Sequence, residues 1–456
     1  MRWPQKPSGM KKIPVIVVFD VGKTNKKLFL FDEQYQLIFE RTARFNETTD
    51  EDGDPCENLE SLRLSVFDSL REVFKKKDVA IKAINFSTYG ASFVYVNEDG
   101  NPLTPLYNYL KPYPPALQQQ FYATYGGEDS FSVQTASPVL GSLNSGMQLY
   151  RLKHERPDIF RATRYALHLP QYMSYLLTGQ AATDLTSIGC HTNLWNFGEN
   201  KYHQWVHQEG IYEKLAPVMP ASQVLPPLFP GGDYVIGAGL HDSSAALIPY
   251  LVCFHEPFIL LSTGTWCISL NPFNNSPLTA EELRQDCLCY LTYQGNPVKA
   301  SRLFAGYEHE QQLKRISAHF GQAAMKYRHM DYQPGIVLRP AGNFAERDLN
   351  TFADDAEAYH QLLFDLATQQ YHATKLVMNN GDVKRIFVDG GFSKNQIYMN
   401  MLAMLFNGIE VFAASMAQAT AMGAALAIHH AWNSKAIPNG IIELKYYAGG
   451  LPTMAE

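Results

Sequence analysis

Val15-Ile16-Val17-Val18-Phe19-Asp20-Val21-Gly22-Lys23-Thr24-Asn25-Lys26-Lys27 runs directly into Leu28-Phe29-Leu30-Phe31. The pattern returns in the other half as Phe258-Ile259-Leu260-Leu261-Ser262-Thr263-Gly264-Thr265-Trp266, followed by Cys267-Ile268-Ser269-Leu270. Each apolar run reads as a buried strand. Each turn between them offers small or hydroxyl side chains and open backbone N–H groups. Two such turns facing each other across a cleft can hold a polyphosphate from both sides. The pattern implies a nucleotide-using enzyme with two related halves.

The 456 residues exceed one ordinary core, and two domains of roughly 200 residues are expected. Hydrophobic residues make up 46% and charged residues 18%, a globular composition. Net charge is −6 and no long basic stretch occurs, so no nucleic-acid partner is expected. Lys75-Lys76-Lys77 follows a helical pattern, where cations suit the helix dipole. No apolar run reaches the ~20 residues that span a bilayer, and Met1 to Lys12 is polar without a signal core. Cys56, Cys190, Cys253, Cys267, Cys287 and Cys289 form no zinc pattern, and reduced thiols in a cytoplasmic protein are expected.

Further along, three strands are expected at Ile13 to Phe19, Leu28 to Asp32 and Gln36 to Phe45. Glu47 to Glu57 reads as a loop. Leu59, Leu62, Val66, Phe67, Leu70, Val73 and Phe74 keep helical spacing. Ala83 to Phe86 and Phe93 to Val96 read as strands, and residues 105–180 as helix-rich. Pro217 to Gly232 reads as a surface linker, and Tyr234 to Ile236 as a strand before Gly237-Ala238-Gly239-Leu240-His241-Asp242. In the second half, a helix over Tyr359 to Met378 leads to the strand Arg385 to Val388 and then to Asp389-Gly390-Gly391. The strand Glu410 to Phe412 and an Ala/Gly-rich helix, Gln418 to Ala431, follow. The fold class is α/β with mixed sheets.

Asp20 ends a buried strand beside a glycine turn, where a carboxylate holds Mg²⁺ next to phosphates or simply opens the turn. Lys23, Lys26 and Lys27 can add charge there, with at least one facing solvent. In the partner turn, Gly264 admits oxygen atoms close to the backbone, and Thr265 offers a hydroxyl. No Walker-type sequence occurs. Gly390-Gly391 would let a nucleotide lie on bare backbone, or merely turn the chain. Gly423, inside a helical pattern, costs about 1 kcal/mol against Ala; it implies close helix packing or ligand approach. Asp242 follows glycines and precedes Ser243-Ser244-Ala245-Ala246, so it reads as a helix cap or as a base that takes a proton from an attacking hydroxyl.

Taken together, these segments resemble the FGGY family of carbohydrate kinases, of the actin-like ATPase superfamily. Asp20-Val21-Gly22 through Lys27 resembles the first phosphate loop. His241-Asp242-Ser243 resembles the His-Asp-Thr of the rhamnulokinase-like branch. Leu261 to Trp266, Val388 to Asn395 and Gln418 to Ala425 are similar to its other nucleotide segments, and Leu177-Thr178-Gly179 and Thr183-Asp184 also recur. The resemblance implies two ribonuclease-H-like domains with a cleft between them, residues 1–245 binding a small-molecule sugar and 246–456 the nucleotide. It implies ATP-dependent, Mg²⁺-assisted phosphorylation of a sugar hydroxyl. Asp242 is then the base, and Asp20 and Asp242 serve the metal. Tyr89, Gly90, His241, Asp242 and Ser243 meet the sugar. Gly22, Lys23, Thr24, Asn25, Lys27, Gly264, Thr265, Gln311, Gly390, Gly391 and Asn395 meet ATP. The number of subunits stays open, with a homodimer as one arrangement.

The sugar loop departs from the branch pattern Asp-Thr-Trp-Gly-Val-Asp-Phe. Here it reads Ser87-Thr88-Tyr89-Gly90-Ala91-Ser92-Phe93, and the branch's Pro-Asp-Tyr is Pro170-Gln171-Tyr172. A serine cannot replace a carboxylate that accepts two sugar hydroxyls. L-rhamnulose itself is therefore not the expected substrate; a ketose or related polyol is. The alternative is a non-catalytic nucleotide-dependent sensor or scaffold on an actin-like fold.

Overall fold

A computed structural model of the chain describes residues 12–23, 26–42, 46–229, 232–378, 383–416 and 418–449. Thr24 and Asn25, expected on the first phosphate turn, lie outside the described residues, as do Ala43 to Phe45.

The fold repeats one sheet topology. In the first half, Ile13–Val21 pairs antiparallel with Lys26–Asp32, which pairs antiparallel with Leu37–Thr42. On its other side Ile13–Val21 runs parallel to Val79–Thr88, which is parallel in turn to Val235–Gly237 and Leu240–His241. In the second half, Phe258–Thr263 pairs antiparallel with Cys267–Asn271, which pairs antiparallel with Pro297–Leu303. Its other side runs parallel to Arg385–Gly390, which is parallel to Glu410–Ser415. Three strands in a meander with parallel strands added to the first is the ribonuclease-H-like arrangement, present twice.

The strand sequences explain the layering. Ile13–Val21 is buried on both faces, so its apolar run is nearly unbroken instead of alternating. One face, with Val15, Val17 and Phe19, packs on Leu62, Val66 and Val73 of the helix Leu59–Phe74. The other face, with Ile16 and Val18, shares a core with Leu260, Leu270 and Phe387 of the second sheet. Two helices fill the space between, Asp242–Cys253 and Ala419–Ala427, through Ala245, Ile248, Ala421 and Ala424. They cross so closely that a Cβ on Gly423 would lie 1.8 Å from the Ala245 carbonyl oxygen. Helix packing, then, is the reason for that glycine. The helix Asp355–Val377 covers the far face of the second sheet with Leu362, Leu363 and Leu366.

Three local expectations change. Glu47 to Glu57 contains a short hairpin, Glu47–Thr49 with Pro55–Glu57. It closes because the Asp50 carboxylate accepts the N–H groups of Asp52 and Asp54. The segment read as a linker supplies an edge strand, Val224–Leu225, paired with Val235–Gly237. Its neighbouring prolines suit an edge, where one side of the ladder goes unpaired. The Ala/Gly-rich helix ends at Ala427, and a separate turn, His429–Trp432, follows. Among the described residues no helix is long and apolar enough to cross a membrane.

Candidate active site

Strand register gathers the first group of site residues. Val21 lies opposite Thr88, and Thr88 opposite His241, so three parallel strands end side by side. In open α/β sheets such carboxyl ends are where ligands bind. Asp20 stands one residue before the end of its strand. Asp242 is the first residue of the helix Asp242–Cys253, immediately after its strand.

The two carboxylates sense each other. Burial pushes the Asp20 carboxyl up to about 6; the Asp242 charge adds to this, while the Thr420 hydroxyl and Lys27 oppose it. Thr420 Oγ1 donates to Asp20 Oδ2 over 2.7 Å. Burial likewise pushes Asp242 up to about 6, against the N–H and hydroxyl of Ser243, which both donate to Oδ1. Protein surrounds Asp242, yet its side chain keeps 29% of its surface exposed. It is desolvated and still reachable. Two neighbouring carboxylates with raised pKa values fit a hard divalent cation, whose charge would favour both ionised forms.

His241 lies beside them. Its backbone N–H donates to Thr186 Oγ1, 3.0 Å away, and the Thr186 hydroxyl donates to Asp184. Its Nε2 is 3.2 Å from Asp242 Oδ1 and 3.1 Å from Cys190 Sγ. The ring lies parallel to Tyr290 at 6.1 Å. Burial lowers its pKa to about 4, so the imidazole is neutral near pH 7. Its buried Nδ1 has no partner among the described residues. Gly90 makes room for the ring: a Cβ there would sit 2.7 Å from His241 Cδ2.

Tyr89 donates its N–H to Val21 O, which fastens the loop at 87–93 to the turn that follows Val21. Its hydroxyl pKa is raised well above the usual range, first by burial and then by Glu57. Lys26 and Lys23 stand 3.2 Å and 3.8 Å from the buried Glu57 carboxylate. The Lys27 ammonium is tied to Glu40. Gly22 and Lys23 are the last described residues of this turn before Thr24.

The second group lies on the second sheet. Gly390 has φ of 91°, and a Cβ there would be 1.9 Å from Thr263 O. Gly391 N–H donates to that same oxygen, and Phe392 N–H to Thr263 Oγ1. Gly390-Gly391 is thus stitched to the turn carrying Gly264 and Thr265. A Cβ on Gly306 would lie 1.9 Å from Gly264 O, so the helix Ala305–Phe320 starts flush against this turn. Gln311 sits half-buried on that helix. Asn395 caps the helix Gln396–Leu405 by accepting from Tyr398 N–H, and its amide donates to Tyr359 Oη.

The residues that depart from the branch pattern have their own partners. Ser92 Oγ donates to Tyr107 O, and Gln171 Nε2 to Gly239 O. A carboxylate could donate in neither place. Ser87 Oγ is buried without a partner among the described residues. Sequence reasoning missed Thr420 on Asp20, and Cys190 and Tyr290 around His241. Thr420 carried the only signal, a hydroxyl one residue into the Ala-rich helix.

The fold carries a ribonuclease-H-like sheet in each half, and comparison with known families places the chain. The description "FGGY family of carbohydrate kinases, N-terminal domain" matches residues 15–246, and "Carbohydrate kinase FGGY, C-terminal domain" matches residues 255–436. The chain belongs to the FGGY family of carbohydrate kinases. It is similar to a rhamnulokinase of Halalkalibacterium halodurans, 25% identical over 281 residues that cover 55% of this chain and 54% of that protein. It is also 25% identical to an L-fuculokinase of Escherichia coli over 272 residues, 56% of each. The chain spans about half the length of the curated relatives it matches. Among solved structures, a carbohydrate kinase from Novosphingobium aromaticivorans superposes with a TM-score of 0.78 at 24% identity, covering 97% of this chain and 96% of that one. A glycerol kinase from Plasmodium falciparum with ADP superposes at 0.73 and 15% identity, covering 97% and 95%.

Proposed function

We propose that the protein transfers the γ-phosphoryl group of ATP to a hydroxyl of a ketose or related polyol. Residues 1–245 would hold the sugar and 246–456 the nucleotide. The observation that carries this reading is the Asp20–Asp242 pair at the ends of the two strands that flank Val79–Thr88, in a chain of this family. Asp242 accepts the proton of the attacking hydroxyl while that oxygen bonds to the γ-phosphorus and the bond to the ADP oxygen breaks. Asp20 and Asp242 would hold Mg²⁺, which supplies charge neutralisation for the transferring group. Gly22, Gly264, Thr265, Gly390 and Gly391 offer backbone and hydroxyl donors to phosphates, and Lys23 and Lys27 bring charge near them. Gln311 and Asn395 lie on the nucleotide side. Neutral His241 accepts a sugar hydroxyl at Nδ1, beside Tyr89, Gly90 and Ser243.

The bonded roles of Ser92 and Gln171 favour a sugar other than L-rhamnulose, because the groups that would select it are absent. The test is ADP release from ATP and Mg²⁺ across ketoses, aldoses and polyols, with Asp242→Asn as control. Turnover on one sugar that falls about 10²–10⁴-fold in the variant, with ATP still bound, is the expected result. Near wild-type turnover in the variant overturns the assignment of the base. ATP binding with no turnover on any sugar points instead to a nucleotide-dependent sensor.

A further inference from the structure

Thr183-Asp184 is conspicuous in the sequence, and none of the roles above uses it. Asp184 is only 1% exposed, and Thr186 is buried beside it. The Asp184 carboxylate caps the four-residue helix Leu185–Ile188. Its Oδ1 accepts the Thr186 N–H at 2.9 Å, the Ser187 N–H at 3.3 Å and the Thr186 hydroxyl.

A cap alone does not account for a carboxylate here. Asparagine caps a helix about as well as aspartate, and brings no charge into the interior. Burial pushes the Asp184 carboxyl up to about 6, against those three donors. Its Oδ2 is buried with no partner among the described residues. What the ionised carboxylate adds is that it can only accept. The Thr186 hydroxyl has one proton and gives it to Asp184. Toward any other neighbour, the same oxygen can then only accept. That neighbour is the His241 backbone N–H, 3.0 Å away.

The place of this N–H gives the bond its consequence. Among the described residues, Leu240–His241 pairs with one strand only, Val79–Thr88. Thr186 supplies an acceptor where a further strand would supply a carbonyl. His241 is the last residue before the helix that Asp242 begins. The same segment also meets the His241 ring, with Cys190 Sγ 3.1 Å from Nε2. It is wedged from behind: a Cβ on Gly189 would lie 2.4 Å from Leu291 Cγ. Leu291 O in turn accepts Ser244 Oγ at 2.9 Å, from the first turn of the Asp242 helix. Residues 184–190 therefore hold the strand end at His241 and share a neighbour with the helix that follows it.

We infer that Asp184 and Thr186 are positioning residues for the proton transfer at Asp242. Asp184 orients the Thr186 hydroxyl, the hydroxyl holds the His241 N–H, and that peptide sets where the Asp242 carboxylate meets the attacking hydroxyl. Neither residue touches the substrate. The kinetic consequence rests on the phosphotransfer reading above; the relay of hydrogen bonds does not.

Two readouts on the full-length protein test it. Amide hydrogen exchange without ligands reads the relay itself. Thr186→Val and Asp184→Ala should lose protection in the peptide that carries the His241 N–H, and Thr186→Ser should keep it. Steady-state kinetics on the substrate found by the ADP assay reads the consequence. Thr186→Val should lower kcat about 10- to 100-fold, with ATP affinity unchanged and the sugar KM moved far less than kcat. Thr186→Ser should restore most of the rate. Asp184→Asn keeps both the cap and an acceptor, so it serves even where the other variants fold poorly. It should lose part of the protection at His241 and about three- to ten-fold in kcat, because the bond is no longer charge-assisted. In a Thr186→Val background Asp184→Asn should cost nothing more, since both act through one contact. Losses that multiply overturn the relay, as do unchanged exchange at His241 or a wild-type kcat in Thr186→Val. Altered exchange at His241 with no turnover on any sugar upholds the relay and counts against the phosphotransfer reading instead.

Discussion

Thr420 Oγ1 donates a hydrogen bond to Asp20 Oδ2 at 2.7 Å, joining two residues 400 positions apart. The contact ties the start of a helix in the second half to the carboxylate one residue before the end of the first strand. Hydrogen bonds to charged groups contribute about 1.5–3 kcal/mol. Thr420→Val should therefore lower kcat/KM about 10- to 100-fold, and Thr420→Ser should restore most of it. Steady-state kinetics on the substrate identified by the ADP assay decides. An unchanged Thr420→Val enzyme would mean that Asp20 takes no part in catalysis.

Activity should depend on pH in a stated direction. Burial holds both Asp20 and Asp242 up at about 6. A general base works only when ionised, so with Asp242 in the proposed role kcat/KM should be flat above about pH 7 and fall as pH drops through about 6. If both carboxylates must be ionised, the acid limb steepens beyond tenfold per pH unit. Because the two interact, the limb reports the pair and not either residue alone. A limb centred near pH 4 would show that neither group is desolvated when substrate arrives.

Gly90 tests the sugar side. A Cβ at that position would stand 2.7 Å from His241 Cδ2. The imidazole has little room to retreat, with Tyr290 parallel to it and Cys190 at its Nε2. Gly90→Ala should displace the ring and raise the sugar KM at least about ten-fold, while ATP affinity stays unchanged. Isothermal titration with each ligand separates the two. Equal losses for ATP and sugar would mean that the loop serves both.

What the sequence revealed depended on how local the interaction was. The strand–turn–strand units at 15–31 and 258–270 are hairpins, so period and glycine placement were enough to find them. Gly423 stood out because a glycine in an alanine run carries a cost that something must offset. Its partner, the Ala245 carbonyl, is invisible without the fold. Thr420 on Asp20 and Cys190 on His241 are ordinary residues whose meaning comes from distant register. Val224–Leu225 was hidden by its prolines, which mark a linker and an edge strand equally well. Asn395 reads as a nucleotide residue, yet its side chain spends its hydrogen bonds on a helix cap and on Tyr359.

Gly423 also gives the sharpest packing prediction. A methyl group there would lie 1.8 Å from a backbone oxygen, which cannot rotate away. The helices Asp242–Cys253 and Ala419–Ala427 would have to part, opening the core shared by both sheets. Gly423→Ala gains about 1 kcal/mol of helix propensity but should lose about 1–3 kcal/mol or more to overpacking. Urea unfolding should show a net loss of stability. A stabilised variant would mean that the helices separate at little cost.

Asp20 should trade stability for function. Its carboxyl titrates at about 6 in the folded chain, against 3.8 for the unperturbed group. A raised acid pKa means the folded state resists ionisation. Its stabilising share is therefore intact below about pH 4 and is lost as pH rises through about 6. A two-unit shift corresponds to about 3 kcal/mol, and partial exposure brings the effect nearer 1–2 kcal/mol. Asp20→Asn keeps an acceptor for Thr420 and removes the charge. Without metal or nucleotide it should melt a few degrees above wild type at pH 8, show no such gain at pH 4, and lose phosphotransfer. Calorimetry in EDTA at both pH values makes the comparison. A lower melting temperature at pH 8 would show that the ionised Asp20 is already well compensated by the protein alone.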